Sequence, residues 1–315
     1  MTVLFIGLGR MGAPLARRHA ARHPTVVFDV DSALSSALAE ELGCPALASL
    51  ATLPDDIGAV ILMLPDSRVV ESVLLDDGLL SRLPAASLII DMGSSEPSST
   101  RRLCATAQAQ GVGYVDAPVS GGVARATSGE LAIMVGGAPS DVDRARPHLE
   151  PLGTSILAVG GPGAGHATKA LNNLLSASNL AAAAEVLTVA RTFGIDPAVM
   201  VDVLNASTGR SQATEVKYPR HVLSGSYDSG FSLDLMVKDL GIASALARDQ
   251  GAHTSVVDAA FATARRAREE MGGAGLDHRG RPLLPAGQRG VPVRGRQART
   301  RNHQEPEPDN DEGIR

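Results

Sequence analysis

The sequence predicts an α/β chain: a doubly wound parallel sheet followed by an all-α domain built around one long central helix. Three observations carry this. Short apolar runs alternate with helical segments from Thr2 to about Val159, a glycine-rich turn closes the first run, and an unbroken helical pattern extends from His166 to about Phe193. At roughly 100–200 residues per domain, the 315 residues accommodate two such units.

The first expected strand, Val3–Gly7, runs straight into Gly9 and Arg10 with no basic leader or long apolar stretch, so it reads as structure and not as a secretion signal. Thr25–Asp29, Ala59–Leu64, Ser87–Asp91 and Gly113–Asp116 follow as strands, then Leu131–Val135 and Ser155–Val159. Helix starts are marked by Asp31-Ser32, by Ser95 ahead of Pro97, and by Pro139-Ser140-Asp141. Alternation of this kind implies a parallel sheet covered on both faces.

Gly160–Gly165 ends the alternation. The helix expected from His166 to Phe193 would be on the order of 40 Å long, more than most single domains require. Pro197–Asn205, Lys217–Leu223, Leu233–Gln250 and Thr254–Glu270 are further expected helices, with no strand among them. The expected division is residues 1–162, 163–271, and a disordered tail at 272–315. That tail is rich in Gly, Pro and Arg, basic from Arg279 to Arg301 and acidic from Glu305 to Glu312, and has no periodicity.

The formal charge of −5 gives no basic field for a polyanion, so nucleic acid is not an expected partner. No charge-free apolar run reaches about 18 residues, Ala170–Ala184 coming nearest, so a membrane span is not expected. Two cysteines, Cys44 and Cys104, cannot form a disulfide framework, which favours a reducing, cytoplasmic location. No metal centre is expected: His19 and His23 stand i, i+4 on the first expected helix and are read as facing solvent. Of the 29 basic residues only Lys169, Lys217 and Lys238 are lysines. Arginine serves wherever a generic cation suffices, so each lysine is a candidate for a place where a titratable amine matters.

Gly7-Leu8-Gly9-Arg10-Met11-Gly12 is a G-x-G-x-x-G turn between an expected strand and an expected helix, the context in which this motif binds a dinucleotide. Gly7 permits the tight turn, Gly9 lets backbone approach a pyrophosphate, and Gly12 lets helix and strand pack closely. Asp29 ends the second strand, where a carboxylate receives ribose hydroxyls and repels a 2′-phosphate. Val30 and Asp31 supply no arginine to neutralise such a phosphate, so NAD is favoured over NADP. Asp31 is the better candidate for capping the next helix.

Asp116-Ala117-Pro118-Val119-Ser120-Gly121-Gly122 leaves the carboxyl end of a strand. The Ser120 hydroxyl and the Gly121 and Gly122 amides could make a carboxylate nest there, or only a turn. Lys169 and Asn173 stand i, i+4 at the start of the long helix and share a face. Leu171, Leu174 and Leu175 are expected to desolvate the amine and lower its pKa, as a general base requires.

These motifs, GLGRMG, DAPVSGG, GAGHATKALNN and FSLDLMVKDLGIA, occur in order across about Thr2–Met271 and resemble the β-hydroxyacid dehydrogenases, the 3-hydroxyisobutyrate dehydrogenase and tartronate semialdehyde reductase group. The resemblance implies a Rossmann domain, a helical domain, and a substrate between them. Lys169 then corresponds to the family's general acid/base, Ser120, Gly121 and Gly122 to its substrate-carboxylate contacts, and Asn173 to its substrate-orienting amide. Lys238 corresponds to a lysine near nicotinamide and substrate. Leu64, Pro65 and Ser94 line the dinucleotide, and Phe231 is a weaker candidate for nicotinamide contact. A small hydroxy acid substrate and a homodimer or homotetramer are also implied.

The chain departs from the family at Gly93, where a hydroxyl residue is common, and at Arg125, where a small residue is commoner; the latter leaves substrate size and charge open. Beyond Met271 the usual family ending is not recognisable. The alternatives are an imine reductase on the same scaffold and a catalytically silent dinucleotide-binding sensor. Both typically lack the lysine that stands here at 169.

Overall fold

The computed structural model describes residues 1–271, so the sequence expectation for 272–315 lies outside the described residues. The chain runs β1 (Thr2–Ile6), α1 (Gly12–Ala20), β2 (Thr25–Phe28), α2 (Ser32–Leu42), β3 (Ile57–Leu62), α3 (Ser67–Glu71) with a π-helical turn at Ser72–Asp76, α4 (Leu79–Arg82) and β4 (Leu88–Asp91). It continues through α5 (Pro97–Ala109), β5 (Gly113–Asp116), β6 (Val119–Ser120), α6 (Gly122–Ser128), β7 (Leu131–Gly137), α7 (Pro139–Leu149) and β8 (Gly153–Gly160). The helical remainder is α8 (Ala164–Phe193), α9 (Pro197–Asn205), a π-helical stretch at Ala213–Val222, α10 (Leu233–Asp249) and α11 (Ser255–Met271).

β2, β1, β3, β4 and β5 lie side by side and parallel. Alternate residues of β1 point to opposite faces, and both faces are covered. Val3 and Phe5 join a cluster with Leu15 of α1 and Val142 of α7. Leu4 and Ile6 join another with Val70 of α3 and Leu103 of α5. Each such aliphatic side chain contributes about 1.5–3 kcal/mol when fully buried, which explains why central strands read as continuous apolar runs.

The sheet is not parallel throughout. β7 is antiparallel to β5 and β6 and parallel to β8. Only residues 121–130 separate β6 from β7, whereas a parallel crossover needs about a dozen residues or more. β5 and β6 pair with β7 in one unshifted register, Asp116 opposite Gly136 and Ser120 opposite Ala132. They are one strand interrupted at Pro118, which has no N–H to give the ladder, although its carbonyl accepts from the Met134 amide at 3.1 Å. Ser120 is therefore the last residue of a strand and not part of a loop beyond one.

Asp31 caps α2 through the Ala33 amide. Ser95 does not cap α5: its hydroxyl donates to Asp91 at 3.2 Å, and Glu96 occupies the cap position ahead of Pro97.

α8 packs Ala170, Leu174 and Ala177 against Met236, Leu240 and Ala243 of α10. Further along, Ala183 and Leu187 pack against Val201 of α9 and Tyr218. By length and composition alone α8 could cross a membrane, its best window reaching a mean hydropathy of 1.2, more than the sequence reading allowed. Packing against α9, α10 and α11 covers only part of that apolar surface, 28% of the window being buried.

The two histidines expected to face solvent do not share a helix face. α1 ends at Ala20, which places His23 in the loop before β2, and His19 is 0% exposed beneath His148 of α7.

Candidate active site

The chain steps from β1 to β2 on one side and back to β3 on the other, so a crevice opens at the carboxyl ends of β1 and β3. The glycine turn sits there. A Cβ on Gly7 would lie 2.4 Å from the Met63 carbonyl oxygen, and one on Gly12 would lie 1.8 Å from that of Gly7, so both glycines serve the protein's own packing. Gly9 differs: no heavy atom lies within 4 Å of where its Cβ would be, and the residue is exposed. Its missing side chain keeps open a space that the chain does not fill, at the amino end of α1, where backbone amides favour an anion. These residues fit a dinucleotide.

Asp29 is half-buried at the end of β2. Its Oδ2 accepts from the Leu8 amide at 2.7 Å and its Oδ1 from the Asp31 amide at 2.9 Å, so the carboxylate is fixed against the glycine turn with lone pairs to spare. Leu8 itself is buried in the core, while Arg10 is exposed and Met11 half-buried at the turn.

Leu64 and Pro65 leave β3, and Ser94 follows β4. The Lys238 ammonium on α10 donates to the Pro65 carbonyl at 2.8 Å and the Ser94 carbonyl at 3.0 Å, tying α10 to both strand ends. Gly93 now has a physical reason, since a Cβ there would stand 2.7 Å from the Leu64 carbonyl oxygen.

Asp239, beside Lys238 and buried, joins the remaining parts. Its Oδ1 accepts from the Ser94 hydroxyl at 2.9 Å and its Oδ2 from the Asn173 amide at 2.6 Å. Sequence reading missed Asp239. The available signal was an acid on the stripe of α10 that otherwise carries Met236, Leu240 and Ala243.

Lys169 lies one helical turn before Asn173 and is half-buried, and among the described residues its amine makes no hydrogen bond or ion pair. Burial holds its pKa below the usual 10.5; Asp239 pulls it back up and Lys238 pushes it further down. The desolvating partners are not all those expected. Leu174 is buried, but Leu171 is 47% and Leu175 63% exposed, because offsets of two and six residues place them on other flanks of the helix. Lys217 reaches the same stripe of α8 two turns on, donating to Ser176 at 3.1 Å. All three lysines are thus half-buried and none is a free surface cation.

The start of α8 is set by Asp116 at the end of β5. Its carboxylate accepts from the Gly163 and His166 amides, each at 2.8 Å. Gly165 lets the helix come this close, since a Cβ would meet the Met134 and Asp116 carbonyl oxygens at 2.5 and 2.7 Å. Lys169 follows within one turn of this anchor.

Gly121 and Gly122, at φ +140° and +70°, turn the chain out of β6 with their backbones exposed, and nothing stands within 4 Å of a Cβ built on Gly122. Arg125 packs its aliphatic stem beside Gly121. Among the described residues no hydrogen bond joins Ser120, Gly121 or Gly122 to Lys169 or Asn173. Phe231 packs on the rim of the α8–α10 cluster.

A dinucleotide cradle at a switch point, facing a half-buried lysine held on a separate helical layer, defines an NAD(P)-dependent oxidoreductase. A family model for the NAD binding domain of 6-phosphogluconate dehydrogenase matches residues 2–161, and one for the NAD-binding domain of NADP-dependent 3-hydroxyisobutyrate dehydrogenase matches residues 163–280. The chain is 39% identical over 241 residues to 2-(hydroxymethyl)glutarate dehydrogenase of Eubacterium barkeri, covering 76% of this chain and 80% of that one. It is 38% identical over 260 residues to 3-hydroxyisobutyrate dehydrogenase of Pseudomonas aeruginosa, covering 80% and 87%. The solved structure of Mycobacterium tuberculosis 3-hydroxyisobutyrate dehydrogenase with L-serine matches at a TM-score of 0.81 and 32% identity, covering 90% of this chain and 96% of that one. The chain belongs to the β-hydroxyacid dehydrogenase family, among the 3-hydroxyisobutyrate dehydrogenases and their relatives.

Proposed function

We propose that the protein interconverts a small 3-hydroxy acid, 3-hydroxyisobutyrate or a close analogue, and its semialdehyde, with Lys169 as acid/base and NAD as the preferred dinucleotide. The observation that carries this reading is the placement of Lys169 on the face of α8 that also carries Asn173, whose amide is joined through Asp239 to Ser94 at the dinucleotide crevice. A dinucleotide held at the Gly7-Gly9-Gly12 turn and Asp29 would supply the hydride chemistry, as acceptor in oxidation and donor in reduction. Neutral Lys169 accepts the hydroxyl proton in the first direction, and its ammonium gives the proton back to the carbonyl oxygen in the second. Asn173, held by Asp239, orients the substrate oxygen. The Ser120 hydroxyl and the Gly121 and Gly122 amides bind the carboxylate. Lys238 fixes α10 across the crevice, where Leu64, Pro65 and Phe231 would line the space for a nicotinamide.

In this reading residues 1–162 hold the dinucleotide and 163–271 complete the substrate site. A homodimer or homotetramer, placed in the cytoplasm, is part of this reading; the apolar residues that α8 and α9 leave uncovered, Phe193 being 84% and Val199 55% exposed, support the self-association. Arg125 beside Gly121 would favour an acid with a second anionic group. A cofactor-reduction screen of 3-hydroxyisobutyrate, glycerate, 3-hydroxypropionate and dicarboxylic hydroxy acids with NAD and NADP tests the proposal, with Lys169→Ala as control. Reduction of neither dinucleotide by any of these acids would reject it.

The cofactor preference is tested separately. Asp29→Ala removes a charged acceptor for ribose hydroxyls, a contact of about 1.5–3 kcal/mol, so kcat/KM with NAD should fall about 10–100-fold. With NADP it should rise, because the repelling carboxylate is gone. Unchanged selectivity in steady-state kinetics would remove Asp29 from the cofactor site.

A further inference from the structure

We propose that His19, His23 and His148 form a binding site for a divalent late first-row transition-metal ion, Zn²⁺ being the representative, which staples α1 and the loop ahead of β2 to α7. The ligating atoms of the three rings all lie within 4.8 Å of one another. His19 Nε2 and His148 Nδ1 are 3.2 Å apart. Two nitrogens bound to one tetrahedral ion at about 2.0–2.1 Å stand about 3.3 Å from each other, so this pair already has the spacing of a chelate.

Hydrogen bonds around the rings set the lone pairs. The Thr25 hydroxyl gives its single proton to the His23 carbonyl at 2.8 Å, so its contact with His19 Nδ1 at 3.0 Å has the ring as donor. That leaves the lone pair of His19 on Nε2, facing His148. His23 donates Nε2–H to the Pro147 carbonyl at 3.1 Å, which leaves its lone pair on Nδ1. A hydroxyl and a carbonyl thus hold two of the three rings by their far nitrogens, as outer partners of metal-bound histidines do. Burial and the neighbouring imidazoles depress His19 to about 3 and His148 to about 4, so both stay neutral and able to coordinate at physiological pH.

Three imidazoles with no carboxylate select Zn²⁺, Co²⁺, Ni²⁺ or Cu²⁺ over Mg²⁺ or Ca²⁺, which take oxygen ligands. His23 and Thr25 also line a shallow open cleft of about 600 Å³, so one of the three rings borders solvent-filled space. Thr25 begins β2 and His19 stands near the end of α1, so the site lies at the amino ends of the strands, away from the glycine turn. Its role is to hold helices together, independent of the hydride chemistry.

The test uses the untagged full chain, stripped with a chelator and titrated with Zn²⁺ by calorimetry, with Mg²⁺ as control. One Zn²⁺ per chain is expected, with affinity weakened at least about 100-fold in His148→Ala and in His23→Gln. His253→Ala, at an exposed histidine, should keep the parent affinity. At a hundred times Kd the melting midpoint of the parent should rise by about 5–10 °C and that of either variant should not. Two variants on half-buried rings are used so that one remains readable if the other folds poorly. Absence of one-to-one binding in the parent overturns the proposal. So does equal affinity in a folded variant, which would mean adventitious surface binding only.

Discussion

Lys169→Arg is expected to lower kcat about 10²–10⁴-fold while leaving KM for the hydroxy acid within a few-fold of the parent. The substitution keeps a cation on α8 and removes only the capacity to lose a proton, because guanidinium does not titrate in a usable range. A role in binding charge alone would leave turnover close to that of the parent. Lys169→Ala should lose turnover similarly and leave a space that a small primary amine in solution could enter, restoring part of the rate. Stopped-flow absorbance of the reduced nicotinamide reads both variants.

The pH profile carries the sign. Oxidation needs the neutral amine, so its rate should rise with pH through the Lys169 pKa, and reduction, which needs the ammonium, should fall over the same range. Burial moves that midpoint below 10.5, and Asp239 opposes the movement by favouring the charged form. Asp239→Asn removes the opposing charge while keeping an acceptor for Ser94, so the midpoint should move to lower pH. A merely structural role for Asp239 would reduce the rate without moving the profile. A parent profile with no limb attributable to an amine, together with a fully active Lys169→Arg, would reject the mechanism.

The features legible in the sequence were those written in local patterns. The apolar strands of the first sheet, the spacing of Gly7, Gly9 and Gly12, the capping role of Asp31 and the extent of α8 depend on neighbours within a few residues, and period and turn chemistry report such neighbours directly. Lys169 and Asn173 were legible as a pair because i, i+4 is itself a local geometry. What was missed depends on contacts that close far along the chain. Asp239 meets Asn173 across 66 residues and Ser94 across 145. His19 is buried by a ring 129 residues away, a contact that its i, i+4 spacing from His23 does not report. β6 has two residues, fewer than any periodicity can register, and the antiparallel turn of β7 follows from a connection length that means little until both strands are placed.

Asp116→Ala is expected to destabilise the fold by about 2–4 kcal/mol, a fall of about 5–15 °C in melting midpoint, and to reduce turnover although residue 116 touches no substrate. Asp116 is 0% exposed, and its two oxygens hold the Gly163 and His166 amides at the start of α8. Alanine would leave both donors without a protein acceptor, at about 1–3 kcal/mol each, less whatever is gained by no longer burying a carboxylate. That relief has a pH signature. Burial raises the Asp116 pKa above the usual 3.8, despite the opposing pull of His166 and the two amides. In the parent, the folded state then binds the proton more readily than the unfolded chain, and this contribution to stability is full below the unfolded pKa and fades as pH rises through the folded one. The alanine variant lacks it, so the stability difference between parent and variant should widen as pH falls from 7 towards 4. Denaturant unfolding at a series of pH values measures that difference. A gap that narrowed on acidification would mean that Asp116 is held ionised by its amides and not penalised by burial. Turnover should fall with stability for a geometric reason: Lys169 stands within a turn of His166, and an unanchored helix start lets the amine drift, where a 1 Å error alone can cost about a hundredfold in rate. Asp116→Asn can accept only one of the two amides and should lie between parent and alanine in both measurements.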